Sequence, residues 1–196
     1  MTPNKTILIL LLLVTANSLQ AQNDDWQFFL TVGQFTINDE VLQNDYGNGL
    51  AVNGAVSRCL GAKSRLKLFV SRFQKDGDPY SLDENFNAGN AGSLALTQLG
   101  MTLENASRGT EYPRLWFGVG VYSVFVSEKI VGNNQMNGDD IGAHFTVTPE
   151  FRILDSILLV FSGGYRISAL TLRDKRNFRQ LDLSGASLSI GFSWIH

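Results

Sequence analysis

The last ten residues, SLSIGFSWIH (187–196), alternate between two kinds of side chain. Small or polar residues occupy one parity, and Leu188, Ile190, Phe192 and Trp194 occupy the other. Successive side chains of a β-strand point to opposite faces, so this stretch predicts a strand with one small face and one large apolar face. Such a strand needs an apolar environment on only one of its two sides.

Seven more segments, going back from the C-terminus, show the same alternation or a strand-rich composition, and none shows a helical period over twelve residues. The predicted strands run nine to fourteen residues, whereas strands of soluble proteins usually have about five or six. A tilted strand that crosses a bilayer needs about nine to eleven residues. The eight predicted strands are 26–37, 49–60, 65–73, 93–104, 114–127, 141–153, 156–168 and 181–194.

The connections between the predicted strands alternate in length. Long polar connections follow the first, third, fifth and seventh strands, whereas GAKS (61–64) joins the second to the third and little more than LD (154–155) joins the sixth to the seventh. Up-and-down barrels of outer membranes have this asymmetry, with short periplasmic turns and long extracellular loops. The sequence therefore predicts an all-β fold, a closed antiparallel up-and-down transmembrane β-barrel of eight strands.

The N-terminus predicts a secretory signal peptide. Lys5 precedes the apolar run ILILLLLV (7–14), and a polar stretch then leads to Ala21. The apolar run is too short to cross a bilayer as a helix, which needs about 20 residues. We expect cleavage after Ala21, so that residues 1–21 are removed and residues 22–196 form one outer-membrane barrel domain.

Composition argues against several classes of protein. The 196 residues carry 16 basic and 18 acidic side chains, and this net charge of −2 gives no reason to expect a nucleic-acid partner. Cys59 is the only cysteine, which excludes an intramolecular disulfide scaffold. Motifs for nucleotide binding, thiol chemistry or zinc binding do not occur, and we expect neither a cofactor nor a metal ion.

The alternation also predicts which side chains face the lumen. An eight-stranded barrel is just wide enough for side chains to fill, and buried charges persist only when they are paired. We therefore expect the charged residues of the inward parity, together with one histidine, to form a network that plugs the lumen. These residues are Lys67, Glu104, Arg114, His144, Glu150 and Arg152.

The opposite parity supplies the predicted lipid-facing surface. Its residues are Leu115, Phe117, Val119, Phe145, Val147, Leu188, Ile190 and Phe192. Trp26 and Trp194 are predicted to form part of an aromatic girdle at the periplasmic interface. The faces of the first and fourth strands stay ambiguous. The last long connection is basic and could contact lipopolysaccharide phosphates, or it is simply solvated loop charge. Its basic residues are Arg173, Lys175, Arg176 and Arg179.

Together, the signal peptide, the eight alternating strands, the loop asymmetry and the aromatic terminal strand resemble the small outer-membrane β-barrels of the OmpA, OmpX and OmpW type. The resemblance implies a location in the bacterial outer membrane, contact with its lipid and with lipopolysaccharide, and recognition of the terminal strand by the outer-membrane assembly machinery. Such strands typically end on Phe or Trp, whereas this chain continues past Trp194 to His196.

A structural or surface-interaction role without enzymatic activity is the function that this resemblance implies. Three alternatives stay open: a narrow channel or transporter for small or hydrophobic solutes, a lipid A-modifying barrel enzyme, and a soluble periplasmic lipid carrier with the alternation inverted. His144, Thr146 and Glu150 share one strand face, but residues two apart on a strand are separated by about 7 Å. That spacing is poor for a nucleophile, a base and an orienting carboxylate.

Overall fold

The computed structural model describes residues 26–77, 92–107, 112–130, 136–173 and 178–196, so the predicted signal peptide lies outside the described residues. Ten strands and one helix occur within these ranges. They are β1 (Trp26–Ile37), α1 (Glu40–Tyr46), β2 (Gly49–Gly61), β3 (Ser64–Gly77), β4 (Gly92–Ala106), β5 (Arg114–Ile130), β6 (Met136–Leu154), β7 (Ile157–Ile167), β8 (Ala169–Arg173), β9 (Phe178–Asp182) and β10 (Gly185–Ile195).

Eight of the strands close into a barrel. The order around the wall is β5-β4-β3-β2-β1-β10-β7-β6, and pairing of β5 with β6 closes the ring. Every pair is antiparallel, and each strand lies beside the strand that precedes or follows it in the barrel. The predicted closed, eight-stranded up-and-down barrel is therefore confirmed. Among the described residues, no helix has both the length and the apolar composition needed to cross a membrane.

Most predicted strands differ from the observed ones by up to five residues at an end, and the last one is interrupted. Segment 181–194 is not continuous, because β9 ends at Asp182 and β10 begins at Gly185. The backbone N–H of Ser184 donates to Oδ1 of Asp182 over 2.9 Å, a local turn that interrupts the strand. β8 and β9 instead pair as a hairpin that begins in the predicted last connection and ends in the predicted last strand, and this hairpin extends the sheet beyond β6.

The two ends of the barrel differ. We call the end that carries Trp26, His196 and the turns at 61–64 and 154–157 the turn end, and the end that carries α1 and the β8–β9 hairpin the loop end. The structure also assigns the two faces that the sequence left ambiguous. In β1, Phe28 and Leu30 are exposed outward while Phe29 is buried inward, and in β4 Leu94 and Leu96 point inward.

The loop-end half of the lumen is a packed apolar core, which we call the apolar layer. Its buried residues are Phe35, Ile37, Leu42, Tyr46, Ala51, Phe73, Leu94, Leu96, Tyr122, Val124, Val126 and Leu183. Helix α1 contributes two of them, Leu42 and Tyr46, which lie one turn apart on one helix face. The polar side chains of the lumen lie mainly in the rest of its length, but Glu128 is buried beside the apolar layer and accepts a hydrogen bond from the hydroxyl of Tyr46 at 2.8 Å.

Asp39 caps helix α1. Its Oδ1 accepts hydrogen bonds from the backbone N–H groups of Val41 and Leu42, at 3.1 and 3.0 Å. Its Oδ2 accepts from the backbone N–H of Asp182 at 3.1 Å, which joins the helix to the start of the segment that leads into β10. The helix ends at Gly47, whose φ of 66° lies in the left-handed region that glycine adopts without strain.

Candidate functional site: a charged layer in the lumen

Arg65 lies at the centre of the turn-end half of the lumen and is completely buried. Its Nε donates to Oε2 of Glu104 over 2.5 Å, and its Nη1 donates to Oε1 of Glu150 over 2.7 Å and to Oε1 of Gln27 over 2.8 Å. The guanidinium carbon lies 3.9 Å from the centre of the Trp116 ring. The planar guanidinium thus holds groups from four other strands at once.

Both carboxylates of this cluster have further donors. Oε1 of Glu104 accepts from Nζ of Lys67 at 3.3 Å, and Oε2 of Glu150 accepts from Nε1 of Trp116 at 3.0 Å. Nε2 of Gln27 lies 3.3 Å from Oε1 of Glu150. Two cations and two anions are therefore balanced within one buried set, which is the condition under which buried charges are tolerated. We call Arg65, Lys67, Glu104 and Glu150 the charged layer.

The register of the strands explains why these residues meet. Arg65 and Glu104 are directly opposite each other in the β3–β4 pair. Glu150 is opposite Arg114 in the β5–β6 pair, and Lys67 follows Arg65 by two residues on the same face of β3. The four charges therefore face the lumen at similar depth from three strands near the turn end.

Three of the predicted network residues, Lys67, Glu104 and Glu150, lie together around Arg65, which was not among the predicted residues. The signal was present, because Arg65 shares the inward parity of Lys67. Arg114 is partly buried beside the layer, with its guanidinium 4.9 Å from the centre of the Tyr112 ring. Arg114 thus lies between the charged layer and the turn-end opening.

Arg152 does not join the charged layer, contrary to the prediction. It is exposed at the turn end, with its guanidinium carbon 4.8 Å from the centre of the Tyr112 ring. The β6–β7 pairing shifts its register between Arg152 and Leu154, immediately before the turn. The side chain therefore extends from the rim of the barrel instead of into the lumen.

His144 lies in the lumen beyond the charged layer, and only 7% of it is exposed. Its Nε2 forms a 2.8 Å hydrogen bond with Oγ1 of Thr102, and its ring packs edge-on against Phe69 with centroids 5.1 Å apart. A hydroxyl within reach of an imidazole is the first half of a nucleophilic arrangement. No partner in the described part of the chain binds Nδ1, so no carboxylate orients the ring. Glu150, the predicted candidate, is instead bound by Arg65.

A cavity of about 70 Å³ lies in the lumen on the loop-end side of the charged layer. Lys67, His144 and Arg166 are among the residues that line it. Arg166 is directly opposite His144 in the β6–β7 pair, donates to the side-chain carbonyl of Gln98, and lies 5.3 Å from the centre of the Phe35 ring. Arg166 therefore lies at the boundary between the cavity and the apolar layer. Within the described ranges, no group of three or more potential ligand residues could hold a metal ion.

The residues predicted to face lipid lie on the outer side of the barrel wall. Most of them are exposed, with values from 41% for Phe117 to 72% for Leu188, while Leu115 and Val147 are partly buried. Trp26 and Trp194 are 40% and 41% exposed near the turn end.

The predicted loop contacts fall largely outside the described residues. Lys175 and Arg176 lie outside the described residues. Arg173 and Arg179 belong to β8 and β9, but their side chains are not among the described ones.

Known structures show the same fold. No family model matches the chain, and no curated protein matches it in sequence. The outer-membrane protein OprG of Pseudomonas aeruginosa superposes with a TM-score of 0.68 at 11% identity, over 88% of this chain and 96% of that one. Ail of Yersinia pestis, in complex with the heparin analogue sucrose octasulfate, superposes with a TM-score of 0.59 at 10% identity. The match covers 89% of this chain and 100% of Ail. The solid-state NMR structure of AlkL in lipid bilayers superposes with a TM-score of 0.55 at 13% identity, over 89% of this chain and 90% of AlkL. The chain therefore has the fold of the small eight-stranded outer-membrane β-barrels.

Proposed function

We propose that this chain is an integral protein of the bacterial outer membrane. The observation that supports this location is the outer surface of the barrel, where large apolar side chains are exposed on strand after strand. Leu30 of β1, Val119 of β5 and Leu188 of β10 are 53%, 61% and 72% exposed. Contiguous apolar surface of this kind is rare on monomers in water and is expected where strands meet lipid.

The lumen of this barrel is proposed to be closed, so that the protein does not conduct. The completely buried Arg65, bound to Glu104 on one side and to Glu150 on the other, carries this proposal. The apolar layer and its helix α1 fill the loop-end half of the same lumen. A solute would have to displace both layers to pass, including a buried charge set whose disruption is costly.

A closed barrel leaves the surface loops to carry the biological role. We propose that they bind anionic groups of the cell surface, such as lipopolysaccharide phosphates. The support comes from the basic residues of the last loop, Arg173, Lys175, Arg176 and Arg179, because arginine is suited to bidentate contacts with phosphate. Ail, which has the same fold, was solved with a sulfated saccharide analogue.

The alternatives receive less support from the described residues. A soluble lipid carrier would place its polar face outward, whereas exposed large apolar residues cover the outer side here. A lipid-modifying enzyme would need an oriented base, and within the described ranges Thr102 is the only hydrogen-bond partner of the His144 ring. A gated channel is favoured only by the cavity beside the charged layer.

Two measurements test the proposal. Washed outer membranes are divided into unheated and boiled samples before detergent electrophoresis, and a band whose mobility changes on boiling is expected for a closed barrel. The folded protein is then inserted into planar bilayers beside an open porin as positive control. Steady conductance steps from this protein would contradict the closed lumen. Its recovery in the soluble periplasm would contradict the proposed location.

A further inference from the structure

The cavity beside the charged layer is small but large enough for an occupant. Its volume is about 70 Å³, whereas one water molecule needs about 10–15 Å³ of such space. It could therefore hold a few water molecules, or one small ion together with water. The character of its lining decides between these occupants.

The charge around the cavity is unbalanced. The charged layer is neutral in itself, and of its members Lys67 is 14% exposed while Arg65 and Glu104 are exposed by 1% or less. Arg166 lines the cavity on its other side, with the neutral amide of Gln98 as its hydrogen-bond partner. No carboxylate of the described residues forms an ion pair with Arg166. Among the described residues, the positive charge of Arg166 is therefore without a counter-charge in a partly buried position, which is costly.

Unpartnered polar atoms surround the same cavity. Oδ1 of Asn53, Oγ1 of Thr146 and Nδ1 of His144 are buried and have no hydrogen-bond partner in the described part of the chain. All three residues line the cavity. Buried polar atoms without partners are uncommon in folded proteins, and three around one cavity indicate a polar occupant.

We propose that this cavity binds one small monovalent anion, of the size of a halide ion or formate, between Arg166 and Lys67. The anion neutralises Arg166, and water molecules beside it complete the hydrogen bonds of Asn53, Thr146 and His144. Both carboxylate oxygens of Glu104 already bind cationic donors, Arg65 and Lys67, so they do not neutralise Arg166. The site goes beyond the proposed surface role and does not depend on it.

Bromide is the probe for a direct test. The folded full-length mature protein is crystallised with sodium bromide in place of sodium chloride, and anomalous diffraction is measured at the bromine absorption edge. We expect one anomalous peak inside the barrel between the side chains of Arg166 and Lys67. A cavity that contains only water under these conditions overturns the proposal.

A solution experiment tests the role of the charge. Thermal unfolding in detergent is followed in bromide and in gluconate at equal ionic strength, because gluconate is too large for the cavity. Bromide is expected to raise the unfolding temperature of the wild-type protein as its concentration increases, since a ligand of the native state stabilises it. Arg166→Gln is expected to weaken the apparent bromide affinity at least about tenfold, which is the loss of one charge-assisted hydrogen bond.

Arg72→Gln is the matched control. Arg72 is exposed and donates to Thr97 on the outer side of β4, so its variant loses the same charge away from the cavity. It should keep the full response to bromide. An equal response in wild type, Arg166→Gln and Arg72→Gln would overturn the proposal. If Arg166→Gln does not fold, the anomalous diffraction of the wild-type protein decides the question alone.

Discussion

Nη1 of Arg65 lies 2.7 Å from Oε1 of Glu150, although β4 and β5 stand between their two strands in the barrel wall. The contact therefore runs across the lumen and joins wall segments that share no backbone hydrogen bonds. Glu104 binds the guanidinium as well, so the side chain of Arg65 links β3, β4 and β6 in the turn-end half of the barrel. The stability of the barrel should depend on this residue more than on any exposed arginine.

Arg65→Met should lower the free energy of unfolding by about 3–5 kcal/mol, because it leaves two carboxylates buried with too few cationic partners. Urea-induced unfolding in lipid vesicles measures the change. Arg72→Met, which removes an exposed arginine, should cost less than about 1 kcal/mol. Neutralising Glu150 as well, in Arg65→Met/Glu150→Gln, should restore much of the loss, because the remaining Lys67–Glu104 pair is balanced. Equal stability of Arg65→Met and wild type would show that the charged layer has no structural importance.

A charge on the outer face should distinguish a lipid-facing wall from a water-facing one. Val119 of β5 and Val41 of α1 are similarly exposed, at 61% and 53%. In a bilayer, Val119→Arg should cost up to about 2–4 kcal/mol, because lipid does not solvate the guanidinium. Val41→Arg, on the loop-end helix, should change the free energy of unfolding by less than about 0.5 kcal/mol. Unfolding in lipid vesicles gives the change in free energy for each variant. Equally small changes for both variants would contradict a lipid-facing β5.

Gly118 should be intolerant of a side chain. A Cβ at this position would lie 2.5, 2.7 and 2.9 Å from side-chain atoms of Thr146, Thr102 and Glu104. Gly118→Ala should therefore cost about 1–3 kcal/mol through overpacking. Gly163→Ala is the control, since the nearest atom to its new Cβ would be at an ordinary contact distance of 3.4 Å. The unfolding midpoints of the two variants are compared with that of the wild-type protein. An unchanged midpoint for Gly118→Ala would mean that the lumen has room for a methyl group at this position.

Loss of the Asp39 cap should loosen helix α1 without opening the barrel. Asp39→Ala removes the acceptor for Val41, Leu42 and the backbone N–H of Asp182, at a cost of about 1 kcal/mol. Hydrogen exchange of the amides in α1 should become faster, while exchange in the barrel strands stays unchanged. Glu40→Gln, an exposed change in the same helical turn, should have a smaller effect. Unchanged exchange in α1 would show that the cap does not hold the helix.

Helix α1 shows how local signals and tertiary context combine. The sequence contains a capping residue, Asp39, two apolar residues four apart, Leu42 and Tyr46, and a closing glycine, Gly47. These signals span only seven helical residues, and helices shorter than about 12–15 residues are marginal in water. The helix is stable because Leu42 and Tyr46 are buried in the apolar layer, which local sequence does not reveal.

The number of barrel strands, their antiparallel order and most of their outward faces followed from the sequence alone. Period-two alternation and the length of the connections are local properties, and a closed antiparallel barrel is the arrangement that satisfies both. Three of the lumen charges, Lys67, Glu104 and Glu150, were predictable in the same way, because parity alone places them inside. The outer residues of β5, β6 and β10 were predictable for the same reason.

Only the tertiary structure decided which inward residue is the centre of the charged layer. Parity allows Arg65, Lys67, Arg114 and Arg152 equally, and the relative depth of these side chains depends on the register of strands that are far apart in sequence. The faces of β1 and β4 also needed the structure, because Phe28 and Phe29 are both large and apolar. The lumen is mainly apolar near the loop end and mainly polar near the turn end, so hydrophobicity alone does not separate inside from outside on such strands.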